Sequence, residues 1–341
     1  MSDTASSPLL RIGILGAASI ARLFIDANRG SGKVAIRAIA SRDAERGKKF
    51  ADELGVAHTH GSYEALLADD TIDAVYNPLP NTLHAEWSIR AADAGKHVLC
   101  EKPLAMSAAQ ARSMFAAARR NGVHVVEGYP YRSQPQTLKL RELLASGAIG
   151  RVQTIQATFG IKLPDSPNIR WQAALGGGAL MDAGSYPVSL VRLIAGERPK
   201  RVHATARWTE SGVDQSLAGT LEFASGVLAQ IACSFATARH RRCLIAGDEG
   251  TLSTTYFNDT GPGMPALLEI QRGIGWDAKR ETIETESIKG FRAEADAFAD
   301  LVARGAAHWT GATPDESVDI AATLAALAES ARTGIAVEIE R

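Results

Sequence analysis

The first residues able to do chemistry form a turn. The apolar run Leu10–Leu15 leads into Gly16, Ala17, Ala18, Ser19 and Ile20, and a helix-compatible stretch covers 20–29. Glycine reaches backbone angles closed to other residues. A helix N-terminus offers unpaired N–H groups and the positive end of a dipole. Ala18 stands where a second glycine is usual, and Ser19 adds a hydroxyl donor. Strand, glycine turn and helix in this order predict a cradle for a dinucleotide pyrophosphate. The second apolar run, Val34–Ala40, ends at Ser41 and Arg42. A carboxylate at this strand end would accept from a ribose 2′-hydroxyl. A hydroxyl and a guanidinium suit a 2′-phosphate instead. Asp43 reads as the N-cap of the next helix. NADP is therefore the expected cofactor, with NAD as the alternative.

Two later motifs carry reactive side chains. Glu101-Lys102-Pro103 follows a short strand over 97–100, and a glycine run, Gly176 to Gly178, leads through Asp182 to Tyr186. Together with the N-terminal turn they closely resemble the Gfo/Idh/MocA oxidoreductases, a family named for glucose–fructose oxidoreductase and inositol dehydrogenase. The resemblance spans about 11–194. It implies a nicotinamide-dependent oxidoreductase acting on a sugar or polyol. It places Lys102, with Glu101, beside the nicotinamide and the substrate hydroxyl, and often makes the Lys–Pro bond cis. Many members have histidine four residues after the motif aspartate; here Tyr186 stands there. The tyrosine form is similar to the branch holding glucose–fructose oxidoreductase, dimeric dihydrodiol dehydrogenases, NADP-dependent aldose 1-dehydrogenases and some 3-ketosugar reductases. It departs from inositol dehydrogenase. The resemblance further implies cofactor contacts from Pro78, Leu79, Asn81 and His84, and from Arg170 and Trp171 near the carboxamide. Tyr131 and Arg132 are candidates for the substrate mouth.

Hydride transfer from a secondary alcohol leaves a proton on oxygen, so an acid/base group is required. A phenol titrating near 10 is a poor base at neutral pH. A neighbouring ammonium stabilises the phenolate. Lys102 and Tyr186 are thus expected to carry proton transfer, with Asp182 pairing with Lys102 or holding the substrate. The expected reaction is oxidation of an aldose at C1. The alternatives are 3-ketosugar reduction, trans-dihydrodiol oxidation and, in another class, a non-enzymatic NADP-binding sensor.

The elements that must position these residues fall into two groups. Up to about residue 125, short apolar strands alternate with helices over 44–54, 81–94 and 107–120. That rhythm predicts a doubly wound parallel (Rossmann) sheet. After 151, strand-like runs follow one another with short turns such as Ala224-Ser225-Gly226, and two helices close the chain over 290–304 and 316–332. These predict a large open, mostly antiparallel sheet flanked by helices. The expected organisation is a dinucleotide-binding domain over 1–127, to which the C-terminal helix can return, and an α+β domain for substrate and oligomerisation over 128–341.

Composition narrows the classes. The 341 residues include 37 Lys plus Arg against 38 Asp plus Glu, a net charge of −1. Such a chain has no global field to draw nucleic acid or an anionic membrane. No long uncharged apolar run suggests a membrane span. The first residues carry Asp3 rather than a basic segment and read as a short tail, not a signal peptide. Three cysteines, Cys100, Cys233 and Cys243, lack metal or redox spacing and suit a reduced cytoplasmic protein. The scattered histidines predict no metal site. An open sheet commonly pairs with its copy, so a homodimer or homotetramer is expected.

Overall fold

The computed structural model describes residues 9–164, 167–261 and 263–339; the expected N-terminal tail lies, over 1–8, outside them. The first layer contains β1 (Leu10–Leu15), α1 (Ser19–Asn28), β2 (Val34–Ala40), α2 (Ala44–Leu54), β3 (His58–His60), α3 (Tyr63–Leu67), β4 (Ala74–Asn77), α4 (His84–Asp93), β5 (His97–Glu101), α5 (Ala108–Asn121) and β6 (Val125–Gly128). Its strands run β3-β2-β1-β4-β5-β6, every pair parallel. The order reverses between β1 and β4, which opens a crevice at the carboxyl ends of these strands. β4 and β6 are buried along their whole length, as strands covered on both faces must be. Helix ends follow local chemistry. Asp43 and Ser107 cap α2 and α5 by accepting from Arg46 N and Gln110 N.

The second layer adds α6 (Pro135–Ala145), β7 (Val152–Lys162), α7 (Ser185–Ala195), β8 (Pro199–Trp208), β9 (Asp214–Phe223), β10 (Leu228–Ser234), β11 (Ala236–Gly247), β12 (Gly250–Thr254), β13 (Leu267–Arg272), β14 (Lys279–Glu284), α8 (Gly290–Arg304), α9 (Pro314–Thr333) and β15 (Val337–Glu338). The sheet order is β14-β13-β12-β11-β7-β10-β9-β8-β15. All neighbours are antiparallel except β7 and β10, which run parallel. β7 is the middle strand: β8 to β10 form a meander on one side, β11 to β14 on the other. Short turns in the sequence show the meanders but not where β7 enters between them. Along β10, Ala229, Ile231 and Cys233 are buried while Leu228 is 55% exposed, so one face packs and the other is open. Helices α6 and α7 were absent from the sequence expectation.

The closing helices tie the layers together. Phe291, Ala295 and Phe298 of α8 join the core under the first sheet, where Phe24 stacks on Tyr76 at 4.0 Å. Each phenylalanine buried there contributes about 1.5–3 kcal/mol. Leu324 and Leu327 of α9 pack under the second sheet, and Ala321 of the same helix joins the α5 core. No described helix is long and apolar enough to cross a membrane.

Candidate active site

The turn expected to cradle a dinucleotide follows β1. Gly16 takes φ 90°, and a Cβ there would stand 3.0 Å from Leu79 Cδ2. Ala18 is the N-cap of α1 and offers no side-chain acceptor; Ala21 N turns back to Ala18 O, and the Ser19 and Ile20 N–H groups are left for an anion. At the tip of β2, Ser41 is buried and Arg42 exposed. The Asp43 carboxylate is spent on Arg46 N at 3.0 Å. Arg46, absent from the sequence expectation, reaches back to donate to Ala17 O at 3.1 Å. Two guanidiniums therefore flank the strand tip, and these residues fit a phosphorylated ribose beside a pyrophosphate.

A cleft of about 280 Å³ lies between the layers, lined among others by Leu79, Lys102, Asp182, Tyr186, Arg241 and Asn258. Lys102 follows the end of β5, and its peptide bond to Pro103 is cis. Asp182 sits in a π-helical turn, Leu180–Gly184, that runs directly into α7 and Tyr186. Gly178 starts this turn at φ 114°, where a Cβ would clash with Asp214 Oδ1. The same carboxylate accepts from Leu180 N at 2.6 Å and so anchors the turn.

Lys102 Nζ donates to Asp182 Oδ1 at 2.7 Å and to its carbonyl at 3.1 Å. Arg170 Nε donates to the other carboxylate oxygen at 2.6 Å. Burial works against charge on Asp182, but the ammonium and the guanidinium outweigh it and hold the carboxyl below the usual carboxylate range. Burial likewise opposes the Lys102 ammonium, yet Asp182, Tyr186 and Glu101 together outweigh it and raise the Lys102 pKa. Lys102 is thus kept charged. Behind it, Glu101 accepts from Tyr76 Oη at 2.5 Å and is pushed up by burial.

Tyr186 is buried, and its hydroxyl accepts from Asn258 Nδ2 at 2.8 Å. Lys102 Nζ lies 5.0 Å from its ring centroid, and Arg241 Cζ lies 4.2 Å away. The structure brings Lys102, Asp182 and Tyr186 together. The ammonium meets the ring, not the hydroxyl.

Other expected residues take differing places. Ile20, Pro78 and Leu79 line the cleft. Asn81 Nδ2 donates to Gly176 O at 2.8 Å, joining the loop after β4 to the glycine run. His84 is buried with Leu79 O and Pro103 O each 2.8 Å from a ring nitrogen, and burial pulls its pKa down to about 4. It braces two cleft loops. Trp171 lies away from the cleft lining: its indole donates to Pro164 O at 3.2 Å and its ring packs edge-on to Phe235. The substrate-mouth expectation for Tyr131 and Arg132 is corrected. Both are 1% exposed, Tyr131 donating to Ser189 Oγ at 3.0 Å and Arg132 to Glu316 at 2.7 Å. Arg241 and Asn258 were missed. Strand alternation could have placed Arg239 and Arg241 on one face, but Asn258 lies in a loop after β12 with no local signal.

Residues 10–129 match the model of an oxidoreductase family with an NAD-binding Rossmann fold, and 137–253 match the GFO/IDH/MocA C-terminal domain. The chain belongs to the Gfo/Idh/MocA oxidoreductase family. It is 41% identical to D-xylose 1-dehydrogenase (NADP(+)) 2 of Haloferax volcanii, over 97% of this chain and 100% of that protein. It is 35% identical to trans-1,2-dihydrobenzene-1,2-diol dehydrogenase of Danio rerio, over 71% of this chain and 73% of that one. A solved 3-ketoreductase from Actinomadura kijaniata, in complex with NADP and TDP-benzene, has a TM-score of 0.85 at 32% identity, covering 95% of this chain and 98% of that chain. The family expected from the glycine turn, the Glu-Lys-Pro motif and the Asp182–Tyr186 motif is the family found.

Proposed function

We propose that this oxidoreductase is an NADP-dependent sugar dehydrogenase that oxidises an aldose at C1 to the lactone. The observation that carries the reading is the convergence of Lys102, Asp182 and Tyr186 in one cleft at the carboxyl ends of a parallel sheet. A nicotinamide bound at the carboxyl ends of the first sheet would supply the hydride acceptor for C1. Tyr186 Oη, as the phenolate, takes the proton from the sugar hydroxyl and becomes the phenol; the cations Lys102 and Arg241 over the ring stabilise the negative charge it carries before that transfer. Lys102, held as an ammonium by Asp182, donates to the sugar oxygen and does not itself take the proton. NADP is favoured because Ser41, Arg42 and Arg46 surround the β2 tip while Asp43 is engaged as a cap. The similarity to an NADP(+) xylose dehydrogenase supports the substrate class.

The division proposed for the chain is 1–127 and 128–341, with α8 returning to the first sheet. Assembly as a homodimer or homotetramer is proposed through the open face of the second sheet, where Leu228 and Leu244 are exposed. The three free, buried cysteines suit the cytoplasm. Absorbance at the nicotinamide band, with a panel of aldoses and each cofactor, tests the activity. NADP reduction with an aldose is expected, and Tyr186→Phe lowers kcat by about 10²–10⁴-fold with NADP affinity unchanged. NADP binding without turnover of any sugar replaces this reading with that of a sensor.

A further inference from the structure

Asn258, outside this scheme, meets the Tyr186 hydroxyl, and Arg241 orients the Asn258 amide. The Arg241 guanidinium can only donate. The Asn258 atom 2.9 Å from Arg241 Nη1 is therefore the amide oxygen. That sets the amide, with Asn258 Nδ2 facing Tyr186 Oη at 2.8 Å. An amide nitrogen can also only donate, so the phenol oxygen accepts. Its own proton must leave in another direction, and among the described residues no other group receives it from Tyr186. The cleft is the direction that remains.

Both residues are themselves fixed. Arg241 Cζ lies 3.9 Å from the Phe159 ring centroid and 4.2 Å from that of Tyr186, and Nη1 also donates to Tyr256 O at 3.4 Å. The Asn258 backbone carbonyl accepts from Gln134 Nε2, which also donates to Phe257 O at 3.1 Å. The neighbouring Asp259 accepts from Gly290 N, at the start of α8, at 2.9 Å. The loop that carries Asn258 is clamped by α8 and by the residue preceding α6.

We propose that Arg241 and Asn258 are positioning residues that fix the direction of the Tyr186 O–H bond, presenting the phenol proton to the substrate oxygen and not to the protein. The proposal rests on Tyr186 as the proton-transfer group. In the oxidative direction the same Asn258 N–H donates to the oxygen before it receives the proton, a charge-assisted bond stronger than a neutral one.

Asn258→Asp separates this role from a structural one. Aspartate nearly matches asparagine in shape and still accepts from Arg241, now as an ion pair. It cannot donate to Tyr186, so the phenol turns and donates to it. The expected result is a fall in kcat of about 10²-fold, with sugar KM and NADP Kd changed by less than about twofold and Tm unchanged or raised. A purely structural Asn258 gives full kcat in a chain at least as stable, so kcat decides between the two. Asn258→Ala covers the case in which the aspartate variant fails to fold. It removes the donor without adding an acceptor and is expected to lower kcat by roughly tenfold, within the worth of one hydrogen bond. In a Tyr186→Phe background, Asn258→Asp should cost nothing more. If Tyr186→Phe is inactive while the folded Asn258 variants keep wild-type kcat, the positioning proposal is wrong and the Tyr186 reading stands. If Tyr186→Phe itself turns over at the wild-type rate, the reading of Tyr186 falls and the proposal falls with it.

Discussion

Lys102 and Tyr186 face one cleft from the two layers of the molecule, and their surroundings are built from different chemistry. Lys102 stands among carboxylates: Asp182, held below the ordinary range, and Glu101, pushed up by burial. Glu127, whose Oε1 accepts from Leu104 N at 2.9 Å, ties β6 to the loop that follows Lys102 and is pushed up by burial to about 7. The groups that support Tyr186 include no carboxylate. Its supports are the Arg241 guanidinium, the Asn258 amide, and the rings of Tyr129 and Phe159, each 5.4 Å away centroid to centroid. One side is an electrostatic device whose state depends on pH. The other is a rigid box that works by direction. Acidity should therefore reach the site from the Lys102 side, while geometry should be disturbed from the Tyr186 side.

The largest test removes the electrostatic side. Lys102→Ala is expected to lower kcat by about 10³-fold, within the span of acid/base and charge-stabilising groups, while NADP still binds in equilibrium titration. Asp182→Asn acts differently: it leaves the largely buried Lys102 ammonium and the partly exposed Arg170 guanidinium with no carboxylate between them. Breaking such a pair costs roughly 3–5 kcal/mol, read as a fall in urea midpoint. Because its folded pKa is depressed, Asp182 contributes stability above the unfolded carboxylate value near 4. That contribution is lost as pH falls below it. An Asp182→Asn protein as stable as wild type at pH 7 would mean that the carboxylate side is not electrostatic in the sense drawn here.

Glu127 supplies the sharper test of pH. Its carboxyl is neutral at higher pH in the fold than in the unfolded chain, where it titrates near 4.3. The folded state therefore bears no charge penalty below about pH 4, a growing one up to pH 7 and a constant one above. Glu127→Gln keeps the acceptor for Leu104 N and removes the titration. Relative to wild type it should gain stability between pH 4.5 and pH 8, by about 3 kcal/mol at most. Comparing two pH values cancels any pH-independent cost of the new amide. A difference that does not change with pH would deny Glu127 its place in the titrating side.

The same contrast explains what the sequence made legible. The parallel sheet, the glycine turn and the caps at Asp43 and Ser107 are local: each needs only neighbours a few residues away. Lys102, Asp182 and Tyr186 were found because short motifs carry them. Asn258 and Arg241 reach Tyr186 across separations of 72 and 55 residues, through sheet pairing that places β11 beside β7. No period or spacing encodes that approach. Tyr131 and Arg132 failed for the converse reason. A polar, aromatic pair reads as a surface site, but both lie in the interior, where Ser189 accepts from Tyr131 and Glu316 from Arg132 Nη2. α7 went unseen because a glycine run precedes it, and the π-helical turn between them has no sequence signature of its own.

The smallest expected effect lies at the far end of the cofactor cradle, on the first layer alone. Arg42 is exposed at the β2 tip, and Arg46 beside it already donates to Ala17 O. A guanidinium that meets a 2′-phosphate in water gives a charge-assisted bond worth about 1.5–3 kcal/mol, and a second guanidinium nearby takes up part of the loss. Arg42→Ala is therefore expected to raise KM for NADP by about tenfold, since each 1.4 kcal/mol is a factor of ten, and to leave KM for NAD and both kcat values nearly unchanged. Arg42→Ala with Arg46→Ala should remove most of the remaining preference. Steady-state kinetics with the two cofactors decide it. Equal losses for NADP and NAD would show that Arg42 supports the strand tip and reads no phosphate, and would leave Ser41 and Arg46 to account for any preference.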